Sequence, residues 1–179
     1  NCEYLLEDPI GGTIAGGANL EAPYGVAPVD LGNDDVMDLV VLERRVNLNA
    51  GMGEGTDLLA ELRFYTTVRA ESSFSFAYER TLDFRGGASV ASGDFNCDGW
   101  PDIVVAYSLE NAVGESDSGA LTIIYGPDYE NSPEVVISDD VNASAGDIVL
   151  ADLNRDGVLD IAVPQWDPGA VRVFSPGIE

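Results

Sequence analysis

The chain has 179 residues, 45% hydrophobic and 22% charged, which is the composition of a folded globular protein. It carries 32 acidic and 8 basic residues, a net charge of −24, and neither histidine nor lysine, so histidine-dependent catalysis, histidine-bound metals and Schiff-base lysines are excluded. This charge also argues against nucleic acid or anionic membranes as partners, and the sequence predicts no membrane insertion.

Three segments of the sequence repeat one motif, at residues 29–41, 93–105 and 151–163. The first aspartates of these segments, Asp30, Asp94 and Asp152, are 64 and 58 residues apart. A period of about 60 residues fits a repeating unit of four short strands and their loops.

The first unit continues after its motif with a glycine-rich turn at 51–55 and two predicted strands at 58–68 and 72–82. In the last of these, Phe74, Phe76 and Tyr78 alternate with small side chains, which is the two-residue period of a strand. The first unit is therefore predicted to contain four strands.

The second and third units follow the same order of elements. Strands are predicted at 88–93, 103–107, 121–125 and 134–138 in the second unit, and at 147–151, 161–164 and 171–174 in the third. The third unit lacks a fourth strand. The sequence thus predicts an all-β fold of about three β-propeller blades of four antiparallel strands, with an N-terminal segment at 1–23 and blades at 24–82, 83–139 and 140–179.

Each motif places oxygen-bearing side chains at loop positions one, three, five and nine, with a turn residue at six. Calcium takes six to eight oxygen ligands, and a curled loop can supply alternate side chains and the carbonyl of position seven. The spacing predicts calcium sites in the second and third loops. The predicted ligands are Asp94, Asn96, Asp98, the Trp100 carbonyl and Asp102 in the second loop, and Asp152, Asn154, Asp156, the Val158 carbonyl and Asp160 in the third.

The first loop departs from this pattern at two positions. Its candidate ligands are Asp30, Asp34, the Val36 carbonyl and Asp38. Gly32 supplies no oxygen at position three, whereas Asp35 replaces glycine at position six and can adopt the left-handed backbone expected there. A third calcium site is therefore left open by the sequence.

The Asp-Phe-Asn-Cys-Asp-Gly-Trp-Pro-Asp and Asp-Leu-Asn-Arg-Asp-Gly-Val-Leu-Asp segments resemble FG-GAP (VCBS-type) repeats. These repeats are the calcium-loop blades of integrin α-subunit propellers and of many secreted bacterial proteins. The resemblance covers about residues 24–179. It implies that each repeat is one blade, that the calcium loop joins its first two strands, and that the protein acts outside the cell.

Three blades do not readily close into a ring, because closed propellers usually have four to eight. The chain could be a piece of a larger propeller, copies could complete a ring, or open edges could pair head-to-tail. The segment 11–20 is a candidate for the strand missing from the third unit.

The predicted function is a secreted, calcium-stabilised module for binding or adhesion, whose partner is a protein, a glycan or another copy of the chain. Trp100, Trp166 and Tyr129 are candidate sugar platforms, although packing between blades is the favoured explanation for each of them. The alternatives are a structural subunit of an extracellular assembly and a carboxylate-dependent glycan-active enzyme. No acid pair outside the loops stands out for catalysis, Asp139 and Asp140 being explained by a surface turn.

Two further features concern covalent modification. Cys2 and Cys97 could form a disulfide in an oxidising compartment, or remain two separate thiols. Asn142 begins an Asn-Ala-Ser sequon, which would accept a glycan in a source that has the required machinery.

Overall fold

The computed structural model describes residues 22–45, 59–71, 73–85, 89–108, 119–132, 135–138, 148–165 and 169–175. All regular structure in this part of the chain is β-strand, which confirms the all-β prediction. Accordingly, these residues include no helix able to cross a membrane. Segment 11–20, Cys2, the Asp139–Asp140 pair, the Asn142 sequon and Trp166 lie outside the described residues.

The strands form three antiparallel sheets. Within each sheet, strands that are consecutive in the chain are also neighbours in space. The first sheet contains β1 (Ala22–Val29), β2 (Asp38–Arg45), β3 (Leu59–Arg69) and β4 (Phe74–Arg85). The second contains β5 (Ser89–Gly93), β6 (Asp102–Ser108), β7 (Gly119–Ile124) and β8 (Val135–Ser138). The third contains β9 (Val149–Ala151), β10 (Asp160–Gln165) and β11 (Ala170–Phe174). Two sheets thus have the four antiparallel strands predicted for propeller blades, and the described part of the third has three.

The second sheet lies between the other two and supplies one face to each, because alternate strand residues point to opposite faces. Ile103 and Val105 of β6 pack in a cluster with side chains of the first sheet, including Val40, Leu42 and Phe64. Val104 and Ala106 of β6, together with Leu121 and Ile123 of β7, pack with Ile161 and Val163 of the third sheet and with Ile148, which precedes β9. This alternation explains why β6 reads as an unbroken apolar run rather than as an alternating one.

The second strand of each sheet begins at the ninth position of a repeated motif. These residues are Asp38, Asp102 and Asp160, and all three are buried. The three loops therefore occupy equivalent places in the sheets, between the first strand and the second.

Candidate functional site: the three aspartate loops

The three loops, named loop 1 (30–38), loop 2 (94–102) and loop 3 (152–160), share an unusual backbone. In each of them the residues at positions four and six have a positive φ angle. Residues other than glycine, asparagine and aspartate rarely adopt such an angle. These residues are Asn33 (50°) and Asp35 (62°), Cys97 (59°) and Gly99 (87°), and Arg155 (64°) and Gly157 (91°). Loop 1 thus keeps the conformation of the other two loops, and Asp35 has the backbone that the sequence predicted for it.

The first aspartate of each loop holds this conformation by accepting two backbone hydrogen bonds. Its Oδ1 accepts from the N–H of position five and its Oδ2 from the N–H of position six. The distances are 3.0 and 2.8 Å at Asp30, 3.1 and 3.0 Å at Asp94, and 3.0 and 3.0 Å at Asp152. The aspartate at position five in turn accepts from the N–H of position seven, at 2.8–2.9 Å in all three loops.

Loops 2 and 3 have additional bonds that loop 1 cannot form. Asn96 accepts the N–H of Asp98 at 3.0 Å and donates its amide to that carboxylate at 2.9 Å. Asn154 makes the same two bonds to Asp156, at 2.8 and 2.7 Å. Gly32 occupies this position in loop 1 and has no side chain, which is the deficit expected from the sequence.

The ninth aspartate ties its loop to the third strand of the same sheet. Asp102 accepts the N–H of Phe95 at 2.8 Å through Oδ2, and that of Gly126 at 2.9 Å through Oδ1. In the first sheet, Asp38 accepts the equivalent bond from Thr67, at 2.7 Å. Sequence analysis missed Thr67 and Gly126 because their role depends on strand register, which no local motif encodes.

Asp160 lacks the bond that Thr67 and Gly126 make in the other sheets. Its Oδ2 accepts from Leu153 and Asn154, whereas its buried Oδ1 has no hydrogen-bond partner among the described residues.

The pKa values of Asp102 and Asp160 are shifted in opposite directions. Burial raises the pKa of Asp102, and the charges of Asp98 and Asp94 add to this, while the two backbone N–H donors oppose it. The Ser175 hydroxyl lies close enough to Asp160 to lower the pKa of that carboxyl, with no hydrogen bond to Oδ1. The carboxylate form of Asp102 is therefore disfavoured by its surroundings, and a nearby cation would favour it.

The loops fit a hard cation by donor chemistry, because every candidate side-chain ligand offers oxygen. Among the described residues, no group of three or more acidic or cysteine side chains is positioned to hold a metal ion in this conformation. The carboxylates of positions one and five instead accept the backbone bonds above. The unpartnered buried oxygen of Asp160 is the feature of the described loops that most directly fits a cation.

The candidate aromatic platforms differ in exposure. Tyr129 is only 2% exposed and packs between the first and second sheets, 5.5 Å from the Phe64 ring, so the packing explanation is correct for it. Its hydroxyl donates to the carbonyl of Pro101 in loop 2 at 2.6 Å. Trp100 is half-buried. Cys97 is an exposed free thiol among the described residues, and Cys2, its candidate partner, lies outside them, so the disulfide stays an open prediction.

A groove of about 500 Å³ lies between loop 1 and the β3–β4 hairpin. β3 and β4 have 11 and 12 residues, against 6 and 4 in β7 and β8, so this hairpin is much longer than its counterpart in the second sheet. Met37 and Phe74 are 59% and 39% exposed there, beside Arg69 and Phe76. Sequence analysis missed this groove because its walls come from segments about 30 residues apart.

Comparison with known families supports the repeat within the second sheet. The family model of the FG-GAP repeat matches residues 86–124, a segment that contains β5, loop 2, β6 and β7. A comparison with curated proteins gave no match. On the match and the geometry together, residues 86–124 are an FG-GAP repeat, and they form part of an array of propeller-type blades.

Proposed function

We propose that this chain is a calcium-stabilised, propeller-type module that acts in binding or adhesion outside the cell. The observation that carries the proposal is the recurrence of one loop conformation and one set of aspartate hydrogen bonds in three sheets. FG-GAP repeats are typical of extracellular domains, where calcium sites of modest affinity are filled.

In this proposal the ions are structural. The ligands in loops 2 and 3 are the side chains and carbonyls predicted from the sequence, and Asp160 Oδ1 supplies the oxygen that no backbone donor satisfies. Calcium supplies positive charge close to Asp102, whose pKa is raised chiefly by burial and further by the charges of Asp98 and Asp94. An ion that binds the folded state alone stabilises that state by mass action.

Loop 1 differs from the other loops in donor number but not in conformation. Because Gly32 offers no ligand, its site is expected to be weaker, with Asp30, Asp34, the Val36 carbonyl and Asp38 as the remaining donors. The calcium proposal therefore comprises two sites of similar affinity and a third, weaker site.

Paired measurements with calcium and with chelator test the metal assignment. Asp98→Ala and Asp156→Ala should lower the melting temperature in calcium and have little effect in chelator, because both residues are exposed and each loses only local loop bonds. Asp128→Ala is the matched control, since Asp128 is an exposed loop acid that also binds an asparagine amide. Equal losses with calcium and with chelator would reject the metal assignment, and calorimetric titration would count the sites.

The groove beside loop 1 is the proposed recognition surface, and its exposed apolar side chains favour a peptide segment of a protein over a glycan. Met37 and Phe74 can bury apolar side chains of such a peptide, and Arg69 can pair with a carboxylate. Peptides can be selected from a displayed random library for binding to the calcium-loaded chain. The selected peptides should not bind the Phe74→Asp variant, and they should still bind the control variant Val26→Asp. Selection of no peptide, together with binding on a glycan array, would favour the glycan alternative.

A further inference from the structure

A second cavity, of about 330 Å³, lies between loop 1 and the strands β3 and β4. Thr67 and Arg69 line both this cavity and the groove beside loop 1, so the two spaces adjoin at these residues. Arg80 of β4 lines the cavity, whereas Met37 and Phe74 line the groove. We call this space the loop 1 cavity.

The guanidinium of Arg80 is held by aromatic rings and not by a carboxylate. It lies 4.8 Å from the centre of the Phe64 ring and 5.4 Å from that of the Tyr129 ring. Its Nε is buried without a hydrogen-bond partner, and it forms no ion pair with any residue that the structure describes. A guanidinium has five N–H donors in a planar fork that matches a carboxylate. The protein itself leaves this capacity of Arg80 unused.

A second arginine without a carboxylate partner lines the same cavity. The chain has 8 basic residues against 32 acidic ones, so most arginines are expected to find an acid close by. Arg69 is exposed at the end of β3 and forms no ion pair in the described part of the chain. Two guanidinium groups that are not neutralised by ion pairs therefore line one cavity.

Three carboxylates also line the cavity, and two of them are bonded to the backbone. Asp34 accepts the N–H of Val36 at 2.9 Å, and Asp38 accepts that of Thr67 at 2.7 Å. The third, Glu79, is exposed, where water and salt screen its charge. Two arginines and three acids give the lining a formal charge of −1, which a calcium ion bound by Asp34 and Asp38, as proposed above, would change to +1.

We infer that the loop 1 cavity is a specificity pocket for one aspartate or glutamate side chain of the peptide bound in the adjoining groove. Arg80 is the anchor for that carboxylate, and Arg69 is a second contact. The rings of Phe64 and Tyr129 hold the guanidinium in place, which reduces the entropy lost when it pairs.

The inference rests on the proposed recognition of a peptide in the groove, and it specifies the chemistry of that peptide. Hydrogen bonds between two charged groups are about twice as strong as those between neutral groups, so Arg80 prefers a carboxylate to a hydroxyl or an amide. The net charge of −24 repels a run of acidic residues. The partner is therefore a segment with a single acid beside apolar side chains.

The peptides selected for the groove from the displayed library also test the inference. They should share one aspartate or glutamate position beside an apolar one. Changing that residue to the corresponding amide should weaken binding to the calcium-loaded wild type by roughly 10- to 100-fold in calorimetric titration, and should have little effect on binding to Arg80→Met. Arg172→Met is the matched control and should behave as the wild type does, because Arg172 also lies over an aromatic ring, 5.3 Å from Phe174, but in the third sheet.

Arg80→Lys keeps the experiment decisive if Arg80→Met fails to fold, as judged by circular dichroism. Lysine keeps the charge but cannot form two parallel hydrogen bonds with one carboxylate, so this variant should bind the selected peptides roughly tenfold more weakly.

Two outcomes would overturn the inference and leave the proposed groove intact. One is a set of peptides that fail to bind Phe74→Asp but share no acidic position. The other is an amide substitution in the peptide that weakens binding to the wild type and to Arg80→Met equally. Selection of no peptide at all would reject both the groove and the pocket.

Discussion

Tyr129 connects the core between the first two sheets to loop 2, and replacing it with phenylalanine tests that connection. The side chain is 2% exposed, and its hydroxyl donates to the carbonyl of Pro101, which lies between two predicted calcium ligands. Tyr129→Phe keeps the ring against Phe64 and removes only the hydroxyl. The variant therefore isolates a single buried hydrogen bond.

The expected loss of stability follows from the burial of that bond. Leaving a buried acceptor unsatisfied costs about 1–3 kcal/mol, and each kcal/mol lowers the melting temperature of a chain of this size by about 2–4 °C. Tyr78→Phe is the matched control, because its hydroxyl bonds Thr81 at 2.8 Å but the residue is 57% exposed. A surface change of this kind should stay within about 0.5 kcal/mol in urea unfolding.

The same tyrosine predicts a loss of stability at alkaline pH. Burial, followed by the charge of Asp102, raises the pKa of Tyr129 from its ordinary value of 10 to about 12. The folded chain keeps this proton between those values while the unfolded chain releases it, so stability falls as the pH rises from about 10 to about 12. Two pKa units correspond to at most about 2.7 kcal/mol, and Tyr129→Phe lacks this component.

The stability difference between wild type and Tyr129→Phe should therefore shrink above about pH 10, as measured by urea unfolding at a series of pH values. Equal stability losses in Tyr129→Phe and Tyr78→Phe at neutral pH, or a difference that does not change with pH, would refute this account of Tyr129.

Three further substitutions test the packing around this site. Gly126→Ala should cost about 1–3 kcal/mol, because a Cβ there would clash with the Pro101 carbonyl oxygen, and its loss should not add to that of Tyr129→Phe in a double-mutant cycle. Gly157→Ala should cost about 1–2 kcal/mol from its φ of +91° alone, since nothing lies within 4 Å of the new Cβ; an unchanged melting temperature would argue against the left-handed backbone of loop 3. Arg80→Met should cost about 0.5–2 kcal/mol by removing a guanidinium that lies 4.8 Å from the Phe64 ring and 5.4 Å from the Tyr129 ring, and stability restored by Arg80→Lys would attribute that loss to charge.

Much of the fold was predictable because it depends on short-range patterns. The unbroken β-branched run from Ile103 to Val105 and the alternation of Phe74, Phe76 and Tyr78 are both typical of strands, and the structure contains strands at both places. The turn at position six of each loop was predictable for a similar reason. Only a few residue types tolerate a positive φ, so glycine at position six, or Asp35 in its place, marks the turn in the sequence itself.

The contacts that join distant segments were not predictable from those patterns. The bonds from Thr67 to Asp38 and from Gly126 to Asp102 connect residues 29 and 24 positions apart, and they depend on the register of three strands. The unpartnered oxygen of Asp160 was not predictable either, since the equivalent carboxylate, Asp102, accepts an N–H from Gly126 that lies 24 positions away. Likewise, the groove beside loop 1 exists because β3 and β4 extend next to a loop from another part of the chain.

The sequence by itself determined the strands, the three loops and their oxygen donors, because these depend on side-chain period, backbone tolerance and chemical type within about a dozen residues. Only the tertiary structure decided which faces are covered. Val171 and Val173 of the third sheet are 66% and 52% exposed. Leu121 and Ile123 occupy the equivalent register positions in the second sheet and are at most 5% exposed, although all four residues are apolar. Burial depends on what packs against a sheet, and strand patterning does not encode that neighbour.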